Sequence, residues 1–550
     1  MNLIKKKSGD WEEKIALFNF WNWLNENRLI IVFLISLVLI VYFNSLNNDF
    51  VADDIPGILQ NPAIGDFNSV LKAPLGFLRP LLYFFAHWIG NLNPFPYHLF
   101  SLFFHLGAVL TVYLLVYLLT NSFVALTTAS LFAVHPLLIE AVSWISGAAY
   151  SQYGFFLILA LLLYLFSLKE KKFYLLSLFA FMLALFSSER SIIFSGIIFI
   201  FFLAFEKNRS GWKKLIPFFL ISGLWMLFYF SAIPQRINSL QTNFYQKPEM
   251  LNPLLQIPVA ISSYLELIFW PKDLTLYHSE MLFSQGEYLL RLAVFLLFLG
   301  FTVWLFFKNR PLSFWPGLFL IGLLPTLTPF GISWIVAERY AYFSSLGIFV
   351  LIALALERIS QTKFGKKTVP VILGIILILL SGRTIARNMD WQNQDTLWLA
   401  AAKTSPSSPQ NHNNLGDYYG RLGEYEKAVE EFKKAIELQP NYGDAYHNLA
   451  NTYQQIGKID LAIENYQKAL EFNPGLWQSL QNLAVIYFQS KDFEKAAQYQ
   501  EKAVEIDPQN ASLHFNLGVI YLEKNQKEKA DQEFQKAFDL DPKLKESSSL

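Results

Sequence analysis

Long apolar runs alternate with short polar segments over the first 390 residues of the chain. The first run, residues 29–46, carries no charge and is about as long as a helix that crosses a roughly 30 Å hydrocarbon layer. Similar runs recur up to residue 386, so we predict about eleven membrane-spanning helices. They lie at 29–46, 97–119, 122–134, 152–168, 173–187, 191–205, 213–232, 289–307, 313–329, 339–357 and 369–386.

A second pattern begins near residue 407, where the same residue types recur every 34 positions. This spacing predicts four tetratricopeptide repeats, each a pair of helices. One position departs: Gln500 stands where the other three repeats have an aromatic residue, so the third repeat is expected to pack differently. Positions that share the spacing are Pro440, Pro474, Pro508 and Pro542, and Ala428, Ala462, Ala496 and Ala530.

The two patterns predict an all-α chain in which a polytopic transmembrane helix bundle precedes an α-solenoid. The apolar segment 254–270 contains Glu266, and we interpret it as an interfacial or re-entrant helix rather than a span. The predicted segments are a cytoplasmic N-terminal segment at 1–28, a transmembrane domain at 29–388 with its first outside loop at 47–96, a linker at 389–406, the repeats at 407–542 and a tail at 543–550.

The charge distribution predicts the orientation. Residues 1–400 contain 28 Lys and Arg but only 21 Asp and Glu, and 18 of the 28 basic residues fall in segments that lie inside if the N-terminus is cytoplasmic. Cytoplasmic loops are enriched in Lys and Arg, so we predict a multi-pass protein of the cytoplasmic (inner) membrane with an uncleaved first anchor. An odd number of spans then places the repeats on the extracytoplasmic side. The inside segments are 1–28, 169–172, 206–214, 308–310 and 358–367.

Composition excludes several classes of protein. The chain is 53% hydrophobic and only 16% charged, which argues against a disordered chain or a single soluble globule. It has no cysteine, so any catalysis must use carboxylates, His, Arg or Tyr. Basic residues do not form the clustered, aromatic-interleaved stripes typical of nucleic-acid binding. A transporter is disfavoured because charged residues avoid the middle of the spans.

An acidic pair, Asp53-Asp54, lies just after the first span. The loop continues through Arg79-Pro80 into an aromatic segment suited to the membrane interface, and then reaches Tyr97-His98. Adjacent carboxylates are often only a solvated turn. Here carboxylate, Arg and His meet at one predicted membrane face, so we consider them candidates for chemistry.

Further ionisable residues lie at the outer ends of the predicted spans. Such residues are costly to bury and are often functional, although internal ion pairs would explain them equally well. Together they predict an outward-facing polar set under the loops. The set comprises His135, Glu140, Glu189, Arg190, Glu338, Arg339 and Tyr340, with Arg383 and Arg387 at the end of the last span.

The repeats carry an asparagine at one position of every first helix, namely Asn414, Asn448, Asn482 and Asn516. Because an amide both donates and accepts, such a ladder is able to hold an extended peptide by its backbone. The alternative is that Asn is simply common at this position of the repeat.

These features resemble the C-type membrane glycosyltransferases, and most of all the transmembrane and tetratricopeptide-repeat-containing protein O-mannosyltransferases and their prokaryotic relatives. The resemblance rests on Asp53-Asp54, Arg79-Pro80, Tyr97-His98, His135-Pro136 with Glu140, Glu338-Arg339-Tyr340 and the repeats. It covers nearly the whole chain. It is loose at residues 146–150 (SGAAY), where relatives often have a Gly-Arg-Ala-type segment.

The resemblance implies transfer of a sugar from a polyprenyl-phosphate carrier to a protein or glycan hydroxyl on the outer face. Asp53 would then accept the proton of the attacking hydroxyl, with Asp54 in support. Arg339 and Arg79 would bind the carrier phosphate, with Arg190 behind them. The other predicted members of the donor site are His98, His135, Glu140, Glu189, Glu338 and Tyr340. The leaving group is already good, so a divalent metal is not required. The repeats would bind acceptor or partner proteins through the four asparagines.

Two alternatives remain open from the sequence. One is a non-catalytic membrane scaffold for envelope or polysaccharide assembly, and the other is a lipid-linked glycan polymerase or ligase. The sugar, the carrier lipid and the acceptor are not defined by the sequence.

Overall fold

The computed structural model describes residues 10–73, 76–206, 209–243, 253–276, 278, 283–327 and 336–547. Every element of regular structure in these ranges is helical, so the predicted all-α class is confirmed. The chain divides into two compact units. One contains Met1–Ile233 and Met250–Thr404, and the other contains Pro234–Glu249 and Ser405–Leu550.

Within the described ranges, sixteen α-helices begin before residue 405. Short turns of other helix types join several of them, at Ile55–Leu59, Pro136–Ala141, Glu189–Ile193 and Glu338–Tyr340. The α-helices are α1 (Asp10–Leu17), α2 (Phe20–Tyr42), α3 (Phe67–Leu71), α4 (Leu78–Gly90), α5 (Pro94–Leu119), α6 (Ser122–Val134), α7 (Ala148–Phe166), α8 (Lys172–Ser187), α9 (Phe194–Phe205), α10 (Ile216–Asn243), α11 (Pro253–Phe269), α12 (Gln285–Lys308), α13 (Arg310–Leu323), α14 (Ala341–Ser360), α15 (Gly365–Asp390) and α16 (Gln394–Thr404).

Each of the eleven predicted spans falls on one of these helices, but the helices differ in length. A helix such as α6, with 13 residues, extends only about 20 Å, less than the hydrocarbon thickness. The count of eleven is therefore approximate, while the multi-pass apolar bundle is confirmed. In the described part of the chain, seven helices are long and apolar enough to cross a membrane: Phe20–Ser45, Pro94–Leu119, Ala148–Phe166, Gly211–Tyr229, Gln285–Lys308, Glu338–Ser360 and Gly365–Asp390.

Helix α11 corresponds to the apolar segment 254–270, and it contacts the backbone of Ala337, the residue that precedes Glu338. The buried Tyr264 hydroxyl accepts a hydrogen bond from the Ala337 backbone N–H at 3.1 Å and lies 3.3 Å from the Ala337 carbonyl oxygen. Its burial between the two backbone groups leaves little freedom for the segment that carries the Glu338–Tyr340 turn.

The interval 389–406, predicted as a linker, is largely helical. Helix α15 continues to Asp390, and α16 follows at Gln394–Thr404. Trp391 and Trp398 are buried in the core of the first unit. Burial of two large aromatic side chains makes this interval a packed part of the bundle rather than a free connection.

Residues 409–540 of the second unit form paired helices with the predicted 34-residue period. Buried Gln500 donates from Nε2 to the Leu513 carbonyl oxygen at 2.9 Å, while its neighbour Tyr499 stacks on Tyr487 with ring centroids 5.5 Å apart. In the third repeat, the buried amide of Gln500 therefore takes the place of the aromatic ring that the other repeats have, and the stacked pair of Tyr499 and Tyr487 lies next to it. The helices are α17 (Pro409–Arg421), α18 (Tyr425–Leu438), α19 (Gly443–Gln455), α20 (Ile459–Phe472), α21 (Trp477–Gln489), α22 (Phe493–Ile506), α23 (Ala511–Glu523), α24 (Lys527–Leu540) and α25 (Lys543–Ser547).

The turn between the two helices of every repeat contains one residue with positive φ. These angles are 77° at Gly423, 74° at Gly457, 63° at Lys491 and 59° at Asn525. Only the first two repeats use glycine, the residue that adopts this conformation without a steric cost.

Candidate functional site

The acidic loop lies between α2 and α4 and is held against the end of α15. The Asn48 amide donates to the Asn388 carbonyl oxygen at 3.1 Å, and the Asp49 backbone N–H donates to the Gln392 carbonyl oxygen at 2.8 Å. On the other side, His98 Nε2 lies 2.9 Å from the Asn48 carbonyl oxygen. His98 is buried, and this contact holds the loop backbone. Donor binding by His98 stays a prediction.

Ala52 adopts an unusual backbone conformation next to the acidic pair. Its φ is 52°, in the left-handed region, which costs a residue with a side chain roughly 1–2 kcal/mol. Its backbone N–H lies 3.4 Å from Gln394 Oε1. Strain of this kind persists where the surroundings fix the chain, and it is frequent at functional sites.

Asp54 is a buried carboxylate with partners on both oxygens. Its Oδ1 accepts hydrogen bonds from the Ser146 backbone N–H, at 2.8 Å, and from the Ser146 hydroxyl. Its Oδ2 accepts from the Val51 backbone N–H at 3.2 Å. Burial raises the pKa of Asp54 to about 7, although these hydrogen bonds oppose the rise.

Asp53 is in the opposite situation, because it is exposed. The two adjacent carboxylates therefore differ in role: one is fixed inside the protein, and the other is open to solvent and to a reactant.

Glu140 and Arg339 form a buried ion pair. The Arg339 guanidinium pairs with Glu140 Oε1, and the Arg339 backbone N–H donates to Oε2 at 2.9 Å. The Glu140 side chain is 0% exposed. Both Glu140 oxygens bond to Arg339, and the predicted contact of Glu140 with the donor stays a prediction.

A second ion pair joins Glu338 to Arg387. Arg387 Nη2 lies 3.4 Å from Glu338 Oε1, and Arg387 Nη1 lies 2.9 Å from Asp390 Oδ2. His278 Nε2 is 3.9 Å from the same Glu338 oxygen. Burial, together with the neighbouring arginines, lowers the pKa of His278 to about 3, so it is neutral. Sequence reasoning missed His278 and Asp390, which carry no local signal.

Arg190 and Arg339 approach the same two aromatic rings. The Arg190 guanidinium carbon lies 4.0 Å from the Tyr340 ring centroid and 5.2 Å from that of Tyr150. For Arg339 the corresponding distances are 5.0 and 6.0 Å. Within the described residues, Arg190 Nη1 is buried without a hydrogen-bond partner. Two guanidinium groups that share two aromatic neighbours, one of them with an unused donor, are candidates for anion binding.

His135 does not face this cluster. Its Nε2 contacts the Ile268 carbonyl oxygen at 2.9 Å, and its Nδ1 accepts from the Leu137 backbone N–H at 3.3 Å. Both ring nitrogens are therefore used in internal bonds, and the contact of His135 with the donor stays a prediction. His135 joins α11 to the turn that carries Glu140.

Arg79 is exposed on α4. Tyr83 lies one turn further along α4, and burial raises its pKa to about 12. The charges of Arg79, Asp54 and Asp53 act on the same pKa to a smaller extent. Glu189 lies beside Arg190 in the turn Glu189–Ile193.

One segment, residues 140–146, touches both halves of the site: Glu140 binds Arg339, and Ser146 binds Asp54. The chain turns sharply just after it, since a Cβ at Gly147 would lie 2.0 Å from the Glu140 carbonyl oxygen. No other residue fits there without movement of the backbone. Ser146 lies in residues 146–150, the stretch where the resemblance noted from the sequence is loose.

The asparagine ladder is partly engaged within the second unit. Asn448 Nδ2 donates to Asn413 Oδ1 at 3.0 Å, and Asn482 Nδ2 donates to Asn451 Oδ1 at 2.8 Å. For Asn414 and Asn516, no side-chain hydrogen bond is found among the described residues. Asn448 and Asn482 thus stabilise contacts between neighbouring repeats.

As for metals, the described ranges contain no group of three His, Asp or Glu side chains arranged to hold an ion.

Comparison with known proteins agrees with the resemblance inferred from the motifs. A tetratricopeptide repeat model matches residues 407–475, 443–509 and 478–543. The chain is 25% identical over 448 residues to a protein O-mannosyl-transferase of Caenorhabditis elegans, which covers 75% of this chain and 63% of that protein. It is 24% identical over 452 residues to protein O-mannosyl-transferase TMTC3 of Homo sapiens, covering 71% of this chain and 49% of that protein.

A third relative, protein O-mannosyl-transferase TMTC1 of Homo sapiens, is 25% identical over 493 residues, or 74% of this chain and 54% of that protein. The resemblance to O-mannosyltransferases with tetratricopeptide repeats is therefore confirmed over most of the chain. The chain itself spans about half to two thirds of the length of these relatives.

Two solved structures match a part of the chain. The crystal structure of MamA protein aligns with 28% of this chain and 84% of its own at 25% identity, with a TM-score of 0.25. Pseudomonas aeruginosa pilF aligns with 24% of this chain and 61% of its own at 28% identity, with a TM-score of 0.23.

Proposed function

We propose that this protein transfers a sugar from a polyprenyl-phosphate carrier to a hydroxyl of a protein or glycan acceptor, with mannose as the first sugar to test. The observation that carries the proposal is the segment 140–146, which joins a strained acidic loop to a cluster of guanidinium groups. The names of the relatives support a mannosyl transfer. The guanidinium groups of Arg190 and Arg339 support a phosphate-linked carrier, because arginine binds phosphate oxygens with two donors at once.

In this proposal Asp53 is the general base. Its carboxylate takes the proton from the acceptor hydroxyl as the oxygen bonds to the anomeric carbon of the sugar. The bond from that carbon to the phosphate oxygen breaks, and the polyprenyl phosphate leaves with the electron pair. Asp54 keeps the loop in place through its bonds to Ser146 and Val51.

The leaving phosphate is bound by arginine. Arg190 is the foremost candidate, because its Nη1 has no partner among the described residues and it shares its two aromatic neighbours with Arg339. Arg339 contributes less charge than its position suggests, since Glu140 balances it. Arg79, which is exposed on α4, would contact the donor or acceptor.

The orientation belongs to the same proposal. The N-terminus would lie in the cytoplasm, and the site and the repeats would lie on the outer face of the cytoplasmic membrane. The basic residues of the predicted inside loops support this orientation. A tag fused to the C-terminus should then be reached by a reagent that does not cross the membrane, and protection of the tag would reverse the assignment.

The repeats would present a protein acceptor or recruit partners. Asn414 and Asn516 are the better candidates for peptide contacts, because Asn448 and Asn482 bond to neighbouring repeats.

The test compares three variants in membranes supplied with polyprenyl-phosphate mannose. Asp53→Asn is expected to lower kcat by about 10²–10⁴, the usual contribution of a general base. Asp49→Asn, an exposed acid of the same loop, serves as the matched control and should keep its activity. Asp54→Asn should lower activity through the loop.

Equal transfer by the wild type and Asp53→Asn, at equal amounts of inserted protein, would remove Asp53 from the mechanism. If wild-type membranes transfer no sugar to any acceptor, the scaffold alternative gains. A product that grows by many sugar units would favour the polymerase alternative.

A further inference from the structure

We infer that Trp144 is a positioning residue that holds Arg339 and the acidic loop at a fixed separation. This inference rests on the proposed function, because it concerns the geometry between the base and the phosphate-binding group. Trp144 is not among the residues that the sequence singled out for chemistry.

Trp144 contacts both halves of the site with one side chain. Its indole N–H donates to the Val51 carbonyl oxygen at 3.3 Å, just before the strained Ala52 and the acidic pair. Its ring lies 5.4 Å from the guanidinium carbon of Arg339. The side chain is buried, at 5% exposure, so both contacts are shielded from water.

The indole ring of Trp144 also packs against a second tryptophan. Trp144 stacks on Trp391 with centroids 5.7 Å apart and an interplanar angle of 28°. Arg387, the partner of Glu338, lies 6.0 Å from the Trp391 ring. A guanidinium group therefore flanks each end of a pair of stacked indoles, an arrangement in which each cation is attracted to the face of a ring.

The indole of Trp144 makes both contacts at once. A phenylalanine would keep a ring against Arg339 and Trp391 but would lose the donor to Val51. An aliphatic side chain would lose both. The position is close in sequence to Glu140 and Ser146, the direct partners of Arg339 and Asp54, so Trp144 sets the distance between two groups that those residues hold separately.

These differences define a pair of variants for the full-length protein in detergent. Trp144→Phe is expected to lower kcat by about fivefold to tenfold, the equivalent of one hydrogen bond, while the KM for polyprenyl-phosphate mannose stays within twofold. Trp144→Leu should lower kcat further and also raise the donor KM several-fold, because Arg339 loses the ring that orients it.

Trp23→Phe is the matched control. Trp23 is also buried in the bundle and packs against Tyr113 and Tyr117, but its indole N–H has no partner within the described residues. It should retain both kinetic constants. Thermal stability in detergent is recorded for all three variants, and the kinetics are normalised to folded protein.

A purely structural role would reduce the amount of folded Trp144 variant and leave kcat and KM per folded molecule unchanged, and that result would overturn the inference. So would an identical fall in kcat for the Phe and Leu variants without any change in the Leu donor KM. If the wild type itself transfers no sugar, the proposed function fails instead. Direct binding of polyprenyl phosphate then still tests the Arg339 contact, since Trp144→Leu should bind it more weakly than Trp144→Phe.

Discussion

Replacing Glu140 by glutamine is expected to destabilise the first unit strongly, because it leaves a buried guanidinium without its counter-charge. Glu140 is fully buried, and the Arg339 side chain is 12% exposed. Glutamine keeps the size of the side chain and one oxygen for the Arg339 backbone N–H. Its NH₂ group, however, would point a donor at another donor.

The magnitude follows from the burial of the pair. Removing one partner of a buried ion pair costs about 3–5 kcal/mol, whereas replacing both partners is often close to neutral. Part of the Arg339 charge remains stabilised by the aromatic rings around it, which are worth about 1–2 kcal/mol when desolvated. We therefore expect a loss of about 2–4 kcal/mol for Glu140→Gln.

A double-mutant cycle separates this effect from ordinary packing. Thermal unfolding in detergent would be measured for Glu140→Gln, Arg339→Met and the double variant. The double variant should be more stable than the sum of the single losses predicts by about 2 kcal/mol or more, because no uncompensated charge remains. The exposed pair of Glu170 with Lys172 provides the control, and Glu170→Gln should leave the unfolding temperature unchanged.

Additive losses in the double variant would refute the reasoning, since they would mean that the two side chains do not interact. A loss for Glu140→Gln as small as that of the Glu170 control would refute the burial argument itself.

Further predictions concern the acidic loop and the repeats. The pKa of Asp54 is about 7 in the folded chain and 3.8 ordinarily, so the folded chain keeps a proton that the unfolded chain loses. The free energy of unfolding should therefore fall by on the order of 4 kcal/mol as the pH rises from about 4 to 7. Unfolding measurements on Asp54→Asn should show a flatter pH dependence. Ser146→Ala removes a hydrogen bond to the carboxylate, so the fall should extend to higher pH; an unchanged profile would contradict the assigned bond. Gly147→Ala forces the backbone away from Glu140 and should cost about 1–3 kcal/mol, with loss of transfer. Lys491→Gly relieves a positive φ and should stabilise the repeats by about 0.5–1 kcal/mol in chemical denaturation, after the greater chain entropy of glycine is allowed for.

The fold was predictable where the signal is local. Apolar runs and the 34-residue spacing are periodic within a single element, so the helices and repeats could be recognised from the sequence. The lengths of several helices could not be predicted, because short turns such as Pro136–Ala141 and Glu189–Ile193 interrupt continuous apolar stretches. The packed interval after α15 was missed, although Trp391 and Trp398 in a supposed linker were a usable sign.

The sequence indicated which residues belong to the site, but it did not indicate which of them bind to each other. Asp54 and Ser146 are 92 positions apart, and Glu140 and Arg339 are 199 apart, so their meeting depends on how the bundle packs. The sequence left two explanations for the charged residues at the ends of the spans, a ligand site or internal ion pairs. Glu140 with Arg339 follows the second explanation, and His135 is bound internally.

The contrast between Asp53 and Asp54 follows from electrostatics and backbone geometry together. Two adjacent carboxylates cannot both be buried cheaply, because each raises the cost of ionising the other. The loop fixes one of them with donors from Ser146 and Val51 and leaves the other in solvent. An amide at position 54 would have to turn its NH₂ group toward one of those backbone donors, so loss of activity there would combine geometry with chemistry. Asp53 has no such structural duty, and its substitution is therefore the cleaner test of the proton transfer.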